Sequence, residues 1–217
     1  MFAKEVYIDR RNRLKREMGS GIALFMGNVE AAYNYPANTY HFRQDSHFLY
    51  FFGLDHPGFA GVIDFDNDTD YLFGNDFDIE DIIWMGVQPK VTDLAAEVGI
   101  SKTGTLKELE KFMVEARKNG QTIHFLPPYR GATLIQMADL LHLSVDEVRS
   151  GSSEALIKAV VKLKEIKDQH EIAEIERAVD IAYLMHTTSM KMAQPGVREQ
   201  EIVVVFEGIS MALGGPV

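Results

Sequence analysis

The sequence predicts an α/β fold with a mixed sheet flanked by helices. Up to about residue 150, short apolar runs alternate with helical segments, the pattern of layered strands and helices. After that point only helical periodicity remains. The chain has 217 residues, 46 % of them apolar and 25 % charged, enough to build a core in one or two domains.

Residues 4–18 read as an amphipathic helix, with Val6, Leu14 and Met18 among charges and Gly19-Ser20-Gly21 as its stop. Ile22 to Met26 is a short apolar run expected to be a buried strand. Residues 28–38 read as a loop, through Asn34, Pro36 and Asn38. Phe48 to Phe52 is expected to be an aromatic strand ended by Gly53, and residues 60–65 form the next strand. Asp66 to Asp70 is turn chemistry leading into Tyr71-Leu72-Phe73, which makes a hairpin. Residues 76–83 are acidic and apolar by turns and lead to Trp84-Met85-Gly86.

Thr92-Asp93 can cap a short helix through Val98. Thr105 and Glu108 have capping-box spacing and open a helix to about Lys118, closed by Asn119-Gly120. Thr122 to Leu126 is a strand ended by Pro127-Pro128, and residues 131–142 read as a helix. Gly151-Ser152-Ser153 is a break, with Ser152 or Ser153 capping a helix to about Leu163. Residues 168–192 are strongly helical: Ile172, Ile175, Val179, Ala182 and His186 share one face. Pro195-Gly196 ends that helix, and residues 198–213 form another. The expected organisation is a domain over 1–150, a linking helix over 151–167 and a second segment over 168–217.

With 22 basic and 32 acidic residues the formal charge is −10. That balance argues against nonspecific binding to nucleic acid or an anionic membrane. The basic run from Arg10 to Arg16 reads as the solvated face of the first helix. The absence of cysteine excludes disulfides and thiolate sites. No apolar run reaches the roughly 18–20 residues of a membrane span. The first residues carry charges where a signal peptide has its apolar core, which points to a cytoplasmic protein.

Candidate chemistry is sparse. There is no HExxH, no GxSxG and no histidine pair at helical i, i+4 spacing. His41 and His47 are six residues apart; a turn-forming hydrogen bond explains such histidines better than a metal does. Asp64, Asp66, Asp68 and Asp70 alternate like the start of a calcium loop. Thr69 and Asn75 stand where that motif needs Gly and Glu, so a hairpin turn is the reading. Arg43, between aromatics, is expected to be partly buried. It would either pair with Asp45 or Asp55, or face a peptide carboxylate. Trp84, the only tryptophan, has two readings, core packing or an interface or ligand wall.

Three stretches, in order, carry a family resemblance. The first is Phe42-Arg43-Gln44-Asp45-Ser46 with Phe48, Tyr50 and Gly53, continuing through Pro57. The second is Tyr71-Leu72-Phe73 leading to Trp84-Met85-Gly86. The third runs from Lys162 through Lys167-Asp168, Glu171-Ile172 and Ile175-Glu176-Arg177-Ala178. Gln194-Pro195-Gly196 and a helix with Glu199, Glu201 and Glu207 follow. Together they resemble the Xaa-Pro peptidases, aminopeptidase P and prolidase.

The resemblance implies a creatinase-type N-terminal domain, a linking helix and the start of a pita-bread catalytic domain. Such a catalytic domain binds two divalent metals, usually manganese, through two Asp, one His and two Glu. Those ligands fall beyond the matched stretches, so this chain is expected to hold no catalytic and no metal-ligating residue. It is expected to be an inactive N-terminal part of an enzyme that removes the residue preceding proline. The parent would act on peptides with proline in second position and assemble as a dimer or tetramer. By resemblance Trp84 lines the mouth of a neighbouring subunit's active site, and Arg43, Gln44, Asp45 and Ser46 hold the motif loop. A prolidase fragment, or a metal-free peptidase-like binding module, fits the same pattern. The last segment is too small to bury both faces of two helices, so a cut inside a second domain is expected.

Overall fold

A computed structural model of the chain describes residues 1–215. The Gly214–Val217 tail, which reads as an odd end for a compact domain, runs into residues 216 and 217, outside the described residues. The first part of the chain contains α1 (Lys4–Met18), β1 (Ile22–Met26), β2 (Ala32–Tyr35), β3 (Asn38–Thr39), α2 (Ser46–Phe52) and β4 (Ala60–Asp64). Next come β5 (Thr69–Phe73), α3 (Ile79–Met85), α4 (Val91–Glu97), β6 (Lys102–Gly104), α5 (Leu106–Lys118) and β7 (Ile123–Phe125). Helices α6 (Gly131–Leu141), α7 (Val145–Ser150), α8 (Glu154–Lys164), α9 (Gln169–Met192) and α10 (Glu199–Ala212) complete it.

Five strands form one sheet in the order β6-β5-β4-β1-β7. The β1–β4 and β4–β5 pairs are antiparallel, and β1–β7 and β5–β6 are parallel, so the sheet is mixed as expected. Successive side chains point to opposite faces. Ala23, Phe25, Ile63 and Leu72 enter one core with residues of α1, α2, α4 and α8. Ile22, Leu24, Val62 and Phe73 enter the other, with residues of α5, α6 and α7. Helices cover both faces, which is why β1 reads as a continuous apolar run rather than an alternating one.

The chain divides into two compact units, Met1–Glu165 and Ile166–Val217. Helix α8, expected to be a link, belongs to the first unit's core. Leu156, Ala159, Val160 and Leu163 are buried there, and the Tyr50 hydroxyl donates to the Leu163 carbonyl at 3.1 Å. In the second unit α9 and α10 pack together, with His186 edge-on to Phe206 at 5.5 Å. Ser210 is its one buried described residue, and Ile172, Ile175 and Val179 on the α9 stripe stay exposed.

Two expectations are corrected. Residues 48–52 are helical, not a strand. The Asp45 carboxylate caps this helix, accepting from the His47 and Phe48 amides at 2.9 and 2.8 Å. Gly53 ends it at φ +68°, where a Cβ would also strike the Tyr7 ring. Phe48, Tyr50, Phe51 and Phe52 are all buried, so the aromatic run fills a helix enclosed on several sides.

The basic run of α1 is likewise not all solvated. Arg11 is 0 % exposed. Its Nε donates to Asp70 Oδ2 at 2.8 Å, Nη1 to the Phe51 carbonyl at 2.9 Å and Nη2 to the Val98 carbonyl at 2.8 Å. Burial pulls its pKa down, and the Asp70 charge opposes that. Arg10, also buried, donates to the Tyr50 carbonyl at 3.1 Å and lies 4.0 Å from that ring's centre. Short hairpin β2–β3 and elements α3, β6 and α7 are additions to the expected order.

His124 on β7 accepts or donates at Nδ1 to Ser153 Oγ, 2.8 Å away, and that Oγ caps α8 by accepting from Leu156 N. Burial holds the His124 imidazole below its ordinary pKa, outweighing a backbone hydrogen bond at Ser20 and the Asp66 charge. His47 is held low by burial and then by Lys164, against Asp45.

Two predictions follow from these buried groups. Arg11→Met leaves Asp70 with Lys15 alone and two buried carbonyls without their donor, so unfolding in urea should show a loss of about 3–5 kcal/mol. Lys15→Met, which breaks pairs with the exposed Asp68 and the mostly buried Asp70, should cost less, about 1–2 kcal/mol. For the histidines, a folded pKa below the unfolded one means the unfolded chain takes up protons first as pH falls. Stability is therefore full above the ordinary histidine pKa, about 6.5, and declines below it. Denaturation midpoints at pH 7.5 and 5.5 should differ for the wild type and converge in a His47→Gln/His124→Gln variant.

Candidate functional site

The Arg43–Ser46 run connects the end of β1 to the loop after α2, and Gln44 is its centre. Gln44 is 6 % exposed, and its amide is hydrogen-bonded at both ends. Oε1 accepts from the Asn28 and Asp45 amides at 2.7 and 2.8 Å. Nε2 donates to the Leu54 and His56 carbonyls at 3.2 and 2.8 Å, so each lone pair and each proton has a partner. Gly27 leaves room for this: a Cβ there would meet the Phe59 carbonyl at 2.7 Å and Gln44 Oε1 at 3.3 Å.

Asp45 caps α2, and Ser46 is an exposed first residue of that helix. Arg43 departs from expectation. Its side chain is exposed, and among the described residues it forms no ion pair with Asp45 or Asp55. The buried reading fails because the chain turns inward one residue later, at Gln44. The Arg43 carbonyl is what the fold uses, accepting from Asn28 Nδ2 at 2.8 Å.

A cleft of about 380 Å³ opens outside the carboxyl ends of the parallel pair β1 and β7. Its apolar wall includes Leu24, Met26, Phe125 and Val161. Asn28, Asp45, His47, Tyr129 and Thr133 supply its polar groups, and Asn28 Nδ2 donates to the Tyr129 hydroxyl at 3.3 Å. Neither Arg43 nor Trp84 lines this cleft. A polar residue that precedes an aromatic run closed by Gly53 is a helix-cap signal, and read that way it places His47 and Asp45 on one helix terminus.

Trp84 lies on α3, which a reciprocal capping box at Asp78 and Asp81 opens. The indole is 87 % exposed, so core packing is excluded. Ile79, Ile83 and Val87 around it in sequence are exposed as well. Such a run of apolar side chains is a candidate contact surface. Among the described residues no group of three or more His, Cys, Asp or Glu side chains could hold a metal ion, and His41 and His47 do not form one. The described residues therefore offer no ligand set that would fit a two-metal centre; what the geometry presents is a cleft and exposed surfaces.

Comparison with known proteins gives a consistent picture. A family model described as "Aminopeptidase P, N-terminal domain" matches residues 7–124. A probable Xaa-Pro aminopeptidase of Chaetomium globosum is 27 % identical over 215 residues, covering 96 % of this chain and 34 % of the relative. One from Sordaria macrospora is 25 % identical over 197 residues, covering 91 % and 33 %. Among solved structures, Escherichia coli aminopeptidase P in its low-pH form matches with a TM-score of 0.80 at 21 % identity, over 99 % of this chain and 50 % of that one. Proline aminopeptidase P II from Yersinia pestis matches with 0.80 at 20 % identity, over 98 % and 51 %. A zinc-substituted form of the Escherichia coli protein with product also matches, with a TM-score of 0.80 at 21 % identity, over 98 % and 50 %. The chain thus spans about a third of these curated relatives and half of the solved chains. With more than half of its residues matched by the family model, the chain belongs to the aminopeptidase P N-terminal domain family.

Proposed function

We propose that this chain is the N-terminal, non-catalytic part of a metal-dependent Xaa-Pro aminopeptidase, which removes the residue preceding proline. The observation that carries the reading is the family match over residues 7–124. In the parent protein two divalent ions, manganese in our reading, would supply the Lewis acidity for peptide hydrolysis. No residue of this chain takes part in that step. Its contribution is shape: the sheet and its helices hold the Gln44-centred loop and present α3. The exposed stripe of α9 fits a further layer of catalytic-domain structure, and residues 168–217 are read as the start of that domain. A cytoplasmic setting belongs to the same reading.

The test uses the parent protein, expressed from the complete coding sequence. Treated with a chelator it should release no residue from Xaa-Pro peptides, and manganese should restore release. Full activity without metal, or no release before proline with metal, would overturn the reading.

Within that reading, Trp84 and its apolar neighbours form the contact with a second subunit of a homo-oligomer and border the substrate opening there. Trp84→Ala should shift the melting curve by no more than about 0.5 kcal/mol, because the side chain is exposed. It should weaken self-association by ~2 kcal/mol or more, as hot-spot truncations do, and lower turnover of longer peptides. Unchanged assembly in sedimentation velocity together with unchanged turnover removes this role.

A further inference from the structure

The cleft outside β1 and β7 is apolar over most of its lining. Its volume, about 380 Å³, lies in the small-molecule range of roughly 300–1,000 Å³. Its place, beyond the carboxyl ends of neighbouring parallel strands, is where open α/β sheets hold ligands. Met26, Phe125 and Met137 give it walls that suit a flat ring. Aromatic faces pack on Phe, and thioether sulfurs sit well against ring edges.

One lining residue holds an acceptor that the protein leaves unused. Asn28 is 4 % exposed. Its Nδ2 donates to the Arg43 carbonyl at 2.8 Å and to the Tyr129 hydroxyl at 3.3 Å, which fixes that atom as the nitrogen. Its Oδ1 accepts from no described residue and, unlike the enclosed Nδ1 of His47, is not sealed off from the cleft. Such an acceptor is destabilising until a donor reaches it. The Tyr129 oxygen is the acceptor in its bond with Asn28, and no described residue takes its proton. An unused acceptor and an unused donor thus adjoin through Nδ2. A phenolic hydroxyl fits both, donating to Oδ1 and accepting from the Tyr129 O–H.

Charge selects neither ion. Asp45 lines the cleft, but at the neighbouring His47 the Lys164 charge acts against that of Asp45. An anion or a cation would leave water for an apolar cleft with no dedicated counter-charge, a cost that a neutral ligand escapes.

We propose that this cleft binds a small neutral phenol, its hydroxyl between Asn28 Oδ1 and the Tyr129 hydroxyl and its ring against Met26, Phe125 and Met137. A free phenol and the side chain of a tyrosine share this chemistry. The lining favours the free molecule, because a polypeptide backbone carried in with the ring would lose water to apolar walls. The site stands apart from peptide hydrolysis, and its test needs no turnover.

The test titrates the ¹⁵N-labelled chain with p-cresol, 4-methylanisole and N-acetyl-L-tyrosinamide, following amide shifts. p-Cresol should shift Phe125, Tyr129, Val161 and the Asn28 side-chain amide saturably, with a dissociation constant near the millimolar range. 4-Methylanisole is more apolar but lacks the donor, and should bind about fivefold more weakly. In Asn28→Ala that preference should fall to about one, since the acceptor is gone. Val161→Trp alters a wall position that is 56 % exposed, so it should abolish the p-cresol shifts and leave the rest of the spectrum in place. It keeps the proposal testable if Asn28→Ala does not fold. N-Acetyl-L-tyrosinamide should bind more weakly than p-cresol; tighter binding would give the cleft to a polypeptide side chain and overturn the assignment. So would no saturable shift at the cleft, 4-methylanisole binding as well as p-cresol, an undiminished preference in Asn28→Ala, or unaltered p-cresol binding by Val161→Trp.

Discussion

The first unit depends on one buried cation. Arg11 is inaccessible to water, so its charge is tolerable only if every donor finds an acceptor. Its partners are Asp70 on β5, the carbonyl of Phe51 in α2 and the carbonyl of Val98 at the end of α4. One side chain thereby ties the first helix to a sheet strand and two further helices. The planar guanidinium fork can reach three acceptors at once, which a lysine ammonium cannot do in the same geometry. The burial is costly in desolvation, and apolar packing of similar volume would serve stability at least as well. What the ion supplies is register: sliding α1 along its groove would break three directional bonds together.

Gln44 does for the loop what Arg11 does for the core. A buried neutral amide with both protons and both lone pairs bonded specifies one conformation of the segment between β1 and α2. That conformation delivers Asp45 to the end of α2 and thus sets the polar end of the cleft. The Arg43–Ser46 run therefore works through its second and third residues inside the domain. Arg43 and Ser46 point outward, where their side chains are open to whatever the domain meets.

Much of this was legible in the sequence, and the failures share a cause. The capping box at Thr105 and Glu108 forms as spaced, and helix α5 runs to Lys118 as expected. The Asp66–Asp70 segment is a hairpin turn, with Asp64 accepting from the Asp66 and Asn67 amides. The aromatic run at 48–52 misled because β propensity describes a half-buried pleated surface, and these residues are enclosed instead. The Asp45 and Gly53 punctuation outweighs that preference. Arg10 and Arg11 misled for the complementary reason: a charge run is solvated unless distant carbonyls converge on it, and such convergence is a tertiary fact. The cleft has the same character, since its walls come from segments more than 100 residues apart.

The distribution of exposed apolar side chains differs between the two units. In the first, an exposed apolar cluster sits on α3, a short helix with no buried residue, while both faces of the sheet are covered by other helices. A helix that buries nothing gains little from folding by itself, because most helical stability comes from packing an apolar face. Its Ile and Trp side chains stay open to solvent. In the second unit the exposure runs along both helices. The first unit presents a local apolar surface beside a closed core, and the second exposes apolar side chains along the length of α9 and α10.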